Sequence, residues 1–542
     1  MAAAQPGTER VRSMHAEPER IHGRVALVLS AGLAYAFLFV VRYRGLWVEN
    51  DTAFFTRDAA LTVQRHSVLF AGEYPHGFLY TAWLASFQWL AGVSPPVFNT
   101  VVAPFVGVTL MLLTGFLCYR VLTDSQRTAT LAAWMLLAIP ELVFSAVRGN
   151  HEKINIAIMM MALYALAASV PRPSSRRGGR PDRMRQGTWL AIFVGLMLMN
   201  AVTNDYFAST LASAGLLAAL VMAAVIPWLS RPDRALRQLE HRLWVGMAVG
   251  AGLVVWVMLG VYPPAAQDVS LLSAAAVKLW HLLLTGKVHS NPYAAPAAQW
   301  AGRFSYLLVA SFRWLMFAGS LTVFASAARR VLKRRRVSPH RLLLLALYLA
   351  LGLLVAVAIP MDYTGLAAGS NLEVRNFTYF ALVAAPLTAI GLRALWARPW
   401  VRAHRHWVSD RLAILVAIFV AVGVVKVTLD PLVSNEWIFY TPAERQAVGF
   451  FLHHARRAGL WTGPDNRLVY MAQSLWPVSP HGNLVMGFKP PPLTQNFLWS
   501  PVVVANSEAQ SFPLPPYALD NRVYDNGGAA IYQKAPESPF QP

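Results

Sequence analysis

The stretch Trp47-Val48-Glu49-Asn50-Asp51-Thr52-Ala53-Phe54-Phe55-Thr56-Arg57-Asp58 decides how the chain is read. It follows the first apolar run, 25–41. It puts carboxylates just past the end of a membrane helix, in a chain with 26 Asp and Glu against 47 Lys and Arg. Carboxylates at a membrane face are costly to keep without a task, and these lie on the side opposite nearly every basic loop. The pattern places chemistry at the outer surface of a membrane.

The chain around this stretch has 542 residues, is 56% hydrophobic and has a mean hydropathy of +0.42. Only 13% of it is charged, against about 25% in a soluble globular chain, so it reads as a polytopic membrane protein. In a soluble chain the formal charge of +21 would suggest nucleic acid. Here the arginines cluster in short loops between apolar runs, as in helical membrane proteins, and no nucleic-acid partner is expected. The single cysteine, Cys118, rules out an intramolecular disulfide or a cysteine-based metal site. No small-residue cleavage site follows 25–41, so that run is expected to stay as the first helix.

Runs long enough to span lie near 25–41, 98–119, 128–146, 154–170, 188–203, 206–229, 243–262, 304–328, 342–359, 377–397 and 412–429. A span needs about 20 residues, with about 17 as the lower limit. The shorter run 78–92, with Tyr80, Trp83, Gln88 and Trp89, is ambiguous, and charge arbitrates. If it lies along the membrane, eleven spans remain, and the inner segments 1–24, 120–127, 171–187, 230–242, 329–341 and 398–411 hold 27 of the 47 Lys and Arg. If it spans, the basic runs after it change side, which loops this basic rarely do. The expected organisation is a cytoplasmic tail 1–24, an all-α module 25–429 with its first outer loop at 42–97, and an extracytoplasmic domain 430–542. In that last part Thr441-Pro442-Ala443-Glu444 forms a capping box. An amphipathic helix is expected to follow to about Gly459, then a strand over 467–472 in a small α/β unit.

With this topology the unusual polar residues collect outside. The first loop supplies Glu49, Asp51, Asp58, His66, Glu73 and His76. The next outer turns supply Arg148-Gly149-Asn150-His151-Glu152-Lys153 and Asn204-Asp205. The segment 263–303 adds Lys278, His281, Lys287 and His289, and the turn 360–376 adds Asp362, Tyr363 and Arg375. The inner loops hold no Gly-rich phosphate loop. Each candidate has a plainer reading. Asp51 could be a helix N-cap or pair with Arg57, and Asp58 could pair with Arg57 or Arg65. Glu152 suits a helix N-terminus, and Asn204-Asp205 suits a turn. Arg375 could anchor at headgroup depth. Arg313 lies within an apolar run, which is a functional-site signal by default unless it snorkels outward. Lys426 is the better snorkelling case, and His453-His454 reads as surface.

The segments Glu49–Phe55, Gly72-Glu73-Tyr74-Pro75-His76-Gly77-Phe78-Leu79-Tyr80-Thr81-Ala82-Trp83-Leu84, Gln88-Trp89-Leu90-Ala91-Gly92-Val93-Ser94 and Arg375-Asn376-Phe377-Thr378-Tyr379-Phe380 with Pro386 resemble the GT-C superfamily of membrane glycosyltransferases. That superfamily includes protein O-mannosyltransferases, lipid A aminoarabinose transferases and arabinofuranosyltransferases. Here the first-loop motif reads Glu-Asn-Asp rather than an adjacent acidic pair. The resemblance implies a multi-pass plasma-membrane enzyme that moves a hexosyl or pentosyl group. The donor would be linked to polyprenyl phosphate, and the acceptor would be an outer-face glycan, lipid or protein. A carboxylate must take the acceptor proton as the sugar carbon gains oxocarbenium character, and Asp51 is the expected base in an inverting displacement. Glu49 and Asp58 are its expected companions. Arg375, Lys278 or Lys287 would meet the leaving phosphate. His151, Glu152, Asp205, Tyr74, His76, His289, Arg313 and Tyr363 complete the expected substrate site. A divalent cation, if used, would be held by Asp51 and Glu152, since hard ions favour such ligands. A transporter or lipid flippase is the competing reading, but it should place ionisable groups near the bilayer midplane. A non-catalytic scaffold would tolerate loss of the first-loop acids.

Overall fold

The computed structural model describes residues 17–70, 73–170, 183–229, 234–286, 300–334, 337–362 and 372–404. It also describes 414, 418 and 421, and in the C-terminal part 440–454, 459–463, 465, 467–476, 484–485, 496–509 and 521–533. The first outer loop lies between α1 (Glu17–Tyr43) and α4 (Pro95–Thr123), and folds as two short helices, α2 (Asn50–Arg65) and α3 (Leu79–Ala91). α3 has 13 residues, roughly 20 Å of helix, too short to cross a hydrocarbon core of about 30 Å. Run 78–92 is therefore not a span. Gly92, at φ +66°, ends it in the left-handed region that glycine adopts without strain.

α5 (Gln126–Leu137) starts at Ser125, whose hydroxyl accepts from the Thr128 N–H at 3.3 Å. α6 (Pro140–Val147), α7 (Glu152–Ala168), α8 (Arg183–Thr203), α9 (Asp205–Val225) and α10 (Arg234–Trp256) follow, then α11 (Gln267–Thr285), α12 (Trp300–Leu332), α13 (Pro339–Asp362), α14 (Leu372–Trp396) and α15 (Pro399–Ala403). α4 is central, packed on α1, α5, α6 and α7, while α14 packs on α5, α12 and α13. Eight described helices are long and apolar enough to cross a membrane, and they correspond to eight of the eleven expected runs. The expected span 128–146 is present as a bent pair: α5 and α6 together are apolar enough to span but meet at 81°, as in a broken span or a re-entrant loop. Pro140 opens α6, and proline cannot supply the N–H that a continuous helix needs there. The run near 154–170 becomes the 17-residue α7, and 412–429 falls almost wholly outside the described residues.

The break explains Arg313. Glu141, in the first turn of α6, forms an ion pair with Arg313 of α12, whose guanidinium lies 5.5 Å from the Phe377 ring centroid. Arg313 is thus paired inside the bundle rather than snorkelling.

In the C-terminal part the capping box is present. The Glu444 N–H donates to Thr441 Oγ1 at 3.1 Å, and the Thr441 N–H donates to Glu444 Oε2 at 2.8 Å. It opens α16 (Pro442–His454). The strand expected at 467–472 is instead a helix, α17 (Arg467–Leu475). Leu468, Met471 and Ala472 bury one face at helical spacing, and Asp465 accepts from the Arg467 N–H at 3.0 Å. With α18 (Pro501–Ala509), these helices accompany a mixed five-stranded sheet. Its strands are β1 (Leu460–Trp461), β2 (Leu484–Val485), β3 (Asn496–Trp499), β4 (Asn521–Asp525) and β5 (Ala530–Gln533), in the order β2-β1-β3-β5-β4. β1 runs parallel to β2 and β3, and β5 antiparallel to β3 and β4. This part docks on the first outer loop. Val48 and Ala53 are buried in its apolar core, α17 packs on α2, and the Tyr440 N–H donates to the Leu46 carbonyl at 2.8 Å.

Two predictions follow from this arrangement. In a Cys118→Ser background, a cysteine at exposed Arg522 should react with a membrane-impermeant maleimide in intact cells. One at exposed Lys333 should react only after permeabilisation. Labelling of both from one side would refute the proposed sidedness. Arg313→Leu strands Glu141 and should cost about 3–5 kcal/mol of stability, which a second change, Glu141→Gln, should largely restore. Thermal unfolding of the detergent-purified variants measures both, and a silent Arg313→Leu would remove the pair's role.

Candidate active site

Glu49, not Asp51, is the N-cap of α2. Its carboxylate accepts from the Thr52 N–H at 2.7 Å, the Asp51 N–H at 2.9 Å and the Thr52 hydroxyl at 2.5 Å. That puts Asp51 in the first helical turn with its side chain 31% exposed. Thr52 also ties the loop to the bundle, because its Oγ1 accepts from the Gly149 N–H at 2.9 Å. A Cβ on Gly149 would stand 2.7 Å from Asn99 Cβ and 2.8 Å from Thr52 Cγ2, so only glycine permits this approach.

The turn bearing Gly149 supplies the centre of the site. The Arg148 guanidinium lies 3.2 Å from Asp51, 2.7 Å from Glu152 and 3.8 Å from Glu49. Asn150 donates to Asp51 at 3.5 Å and accepts from the Glu152 N–H at 3.2 Å, while Ser145 donates to Glu152 at 2.5 Å. Lys153, fully buried, donates to the Arg148 carbonyl and lies 5.5 Å from the Tyr80 ring centroid. Burial, and next the Asp51 charge, push the Glu49 carboxyl up to about 7, against the opposing pull of Arg148 and Thr52.

Asp58 does not join this group. It pairs with Arg57 at 2.8 Å and accepts from the Tyr74 N–H at 3.0 Å, and burial pushes it up to about 6 despite Arg57. It is a strut for Tyr74. The Tyr74 ring packs against Phe54, Phe55, His76 and His151, its hydroxyl accepts from Asn204 at 3.2 Å, and its carbonyl accepts from the Tyr262 hydroxyl at 2.6 Å. His151 is caged by Phe55, Tyr74 and Phe207, with Nε2 2.9 Å from Asn204 Nδ2. Burial holds this imidazole neutral by lowering it to about 3, against the Glu152 charge. His76 Nδ1 lies 3.5 Å from the buried Asp205 carboxylate. Arg375, exposed in the first turn of α14, is near enough to Glu152, Tyr74 and Asp51 for their charges to act on it.

The structure thus brings together Glu49, Asp51, Tyr74, His76, His151, Glu152, Asp205 and Arg375. Lys278 is exposed on α11 and is not part of this group. Lys287, His289 and Tyr363 lie outside the described residues. Asp51 and Glu152, the expected metal ligands, do converge, but on a guanidinium. Among the described residues, no three His, Cys, Asp or Glu side chains are grouped to hold a metal ion. Arg148, Asn150, Asn204 and Tyr262 were not among the expected site residues. The i,i+4 spacing of Arg148 and Glu152, and the N-cap Asn204, are the signals that would have found two of them.

No protein-family model matches the chain, and no curated protein matches it in sequence. Solved structures do. The oligosaccharyltransferase of Archaeoglobus fulgidus, tethered to an acceptor peptide containing the NVT sequon, aligns at 12% identity with a TM-score of 0.51, over 94% of this chain and 74% of that one. The apo form of that oligosaccharyltransferase aligns at 14% identity and TM-score 0.47 over 85% of this chain, which spans 60% of its length. ArnT from Cupriavidus metallidurans, bound to undecaprenyl phosphate, aligns at 13% identity and TM-score 0.41, over 95% of this chain and 99% of that one. At this identity the likeness shows a shared fold with that tethered oligosaccharyltransferase, as the resemblance read from the first outer loop led us to expect.

The Glu49 environment predicts a pH signature. The folded chain keeps a proton on Glu49 that the unfolded chain releases between about 4.5 and about 7, so ionisation erodes stability as pH rises through that window. Glu49→Gln is neutral throughout. Its melting temperature should therefore gain on the wild type from about pH 4.5 to about pH 7. Asp58 and His151 titrate in both chains and cancel. A pH-independent difference would mean that Glu49 is not held protonated.

Proposed function

We propose that the protein is an integral-membrane glycosyltransferase. It moves a sugar from a polyprenyl-phosphate-linked donor to an acceptor hydroxyl on the outer face, with inversion at the sugar carbon. The observation that carries the reading is the exposure of Asp51. It is 31% exposed, while Glu49, Asp58, Glu152 and Asp205 are 11% exposed or less. It is the carboxylate of this group that an acceptor can reach. In the proposed step the acceptor oxygen attacks the sugar carbon from the face opposite the phosphate and its proton passes to Asp51. The bond to the phosphate oxygen breaks, with the electron pair staying on the phosphate. Arg148 and Asn150 fix the Asp51 carboxylate, Glu49 sets the helix turn that presents it, and Arg375 offers positive charge to the phosphate. If a divalent cation takes part, Asp51 and Glu152 are the residues that would hold it, and it would supply Lewis-acid charge to the phosphate.

A general base contributes roughly 10²–10⁴-fold in rate. Asp51→Asn keeps size and hydrogen bonding but takes no proton at neutral pH. It should lose most of that factor in a transfer assay with purified protein and polyprenyl-phosphate sugars, while folding normally. Glu49→Gln should cost less if Glu49 only positions Asp51. Equal losses that vary with chelator and added metal would point to a shared cation. Full transfer by well-folded Asp51→Asn protein would remove the base from this mechanism.

A further inference from the structure

Besides Asp51, one other ionisable side chain of the group is 31% exposed and backed by a buried partner: His76, against Asp205 at 1%. The backbone builds this pair. The Asp205 N–H donates to the His76 carbonyl at 2.9 Å, and the Phe78 N–H donates to the Val202 carbonyl at 3.0 Å. Between them Gly77, at φ +149°, lies so close to α8 that a Cβ would stand 2.5 Å from the Thr203 carbonyl oxygen. The first loop is thereby pinned flat on the end of α8, with the His76 imidazole over the Asp205 carboxylate. Nδ1 faces Asp205 and Nε2 lies on the opposite edge of the ring. A buried carboxylate 3.5 Å from one ring nitrogen supports positive charge on the ring. The groups around it are Tyr74, whose ring centroid is 5.1 Å away, His151, Asp205 and Arg375. His76 and Arg375 both lie near enough to His151 for their charges to act on it, and Arg375 and Asp205 near enough to Tyr74.

We propose that His76, positioned by Asp205, is the proton donor to the departing phosphate, the counterpart of Asp51 on the acceptor side. The inference rests on the lipid-phosphate reading above. As the sugar carbon–oxygen bond breaks, the electron pair goes to the phosphate oxygen and the Nε2 proton follows it, while the acceptor proton goes to Asp51. Water then exchanges the two groups back. A phosphate monoester has a second pKa of about 6 and an imidazole one of about 6.5, so the transfer is nearly level in free energy. Tyr74 and the neutral His151 lie near His76 without adding charge that would compete for the phosphate.

Undecaprenyl phosphate in detergent micelles is the probe, with full-length protein and tryptophan fluorescence as readout. At about pH 5.5, His76→Gln should bind roughly 10-fold more weakly than wild type, the worth of one charge-assisted hydrogen bond. By about pH 8.5 the two should converge, because the imidazole has lost its proton. Asp205→Asn should move that convergence to lower pH. Arg375→Ala should weaken binding at every pH and keep the wild-type slope. In the transfer assay His76→Gln should lose kcat by about 10²-fold. His76→Lys, a cation but a poor acid at neutral pH, should recover affinity without recovering kcat. If His76→Gln follows wild type at all pH, His76 has no part in phosphate binding. If His76→Lys recovers kcat as well, charge suffices and proton donation is refuted. If wild type binds the probe no better than dodecyl phosphate, the lipid-phosphate reading fails and this inference with it.

Discussion

The site depends on one guanidinium. Glu49, Asp51 and Glu152 arrive from two segments about a hundred residues apart, and Arg148 lies within 3.8 Å of all three carboxylates. Three carboxylates in one half-buried space repel, and even with Arg148 between them burial and the Asp51 charge push the Glu49 carboxyl up to about 7. Two of the acids sit in the first turns of α2 and α7, and the third caps α2. Two helix N-termini therefore aim their positive ends at the same place, each worth about 0.3–1 kcal/mol to an acidic side chain. Arginine suits this position better than lysine, because its planar fork reaches several carboxylates at once and keeps its charge when buried. The same contacts bind the first outer loop to the membrane bundle, so the group that balances charge also sets geometry.

α2 is held from its other side as well. Glu49 and Asp51 face Arg148, while the neighbouring Val48 and Ala53 lie in the apolar core of the C-terminal part. There a second buried arginine plays a similar role. Arg467 donates to Asp465 at 2.6 Å and to Glu444 at 3.0 Å, and Ser500 donates to Glu444 at 2.6 Å. These bonds fix the first turn of α17, which packs on α2. Against burial, which raises it, Arg467 holds the Glu444 carboxyl below its ordinary value. The position of Asp51 is thus set by two polar clusters, one on each side of a 16-residue helix.

Much of this was legible in the sequence, for physical reasons. Hydropathy and the basic loops marked eight of the membrane-length helices. The charge argument kept 78–92 out of the membrane, and the 13-residue helix agrees. The first-loop acids were visible because acid is scarce in the chain. Three features were hidden. Glu49 rather than Asp51 caps α2, although Asp is the preferred capping type and Glu is not, so residue preference pointed to the wrong one of the two. The run 128–146 looked continuous because hydropathy does not register that Pro140 breaks a helix or that Glu141 has a partner in Arg313. The stretch 467–472 looked like a strand because Leu468, Val469 and Tyr470 suit one locally. The helical face of Leu468, Met471 and Ala472 shows only against the core it buries. Arg148 was seen in its outer turn but given no role, because that role is a convergence of distant carboxylates, which spacing along the chain does not express.

A pattern links the half-exposed groups of the site. Asp51 meets solvent and leans on the more buried Arg148, while His76 meets solvent and leans on the buried Asp205. In each pair the exposed member can exchange a proton, and the buried member of opposite sign holds its position. Tyr74 packs beside His76 and is near enough to Asp51 for its charge to act on it, with its backbone N–H on Asp58, its carbonyl on Tyr262 and its hydroxyl on Asn204. Each polar atom of Tyr74 is thus committed to the scaffold, so this aromatic wall cannot rotate away without breaking three hydrogen bonds, each worth about 0.5–1.5 kcal/mol net. In the proposed mechanism a base on one side and an acid on the other, across this aromatic wall, would be kept from passing protons directly between them. Sugar transfer needs that separation, because the proton leaves one oxygen and arrives at another on the opposite face of the same carbon.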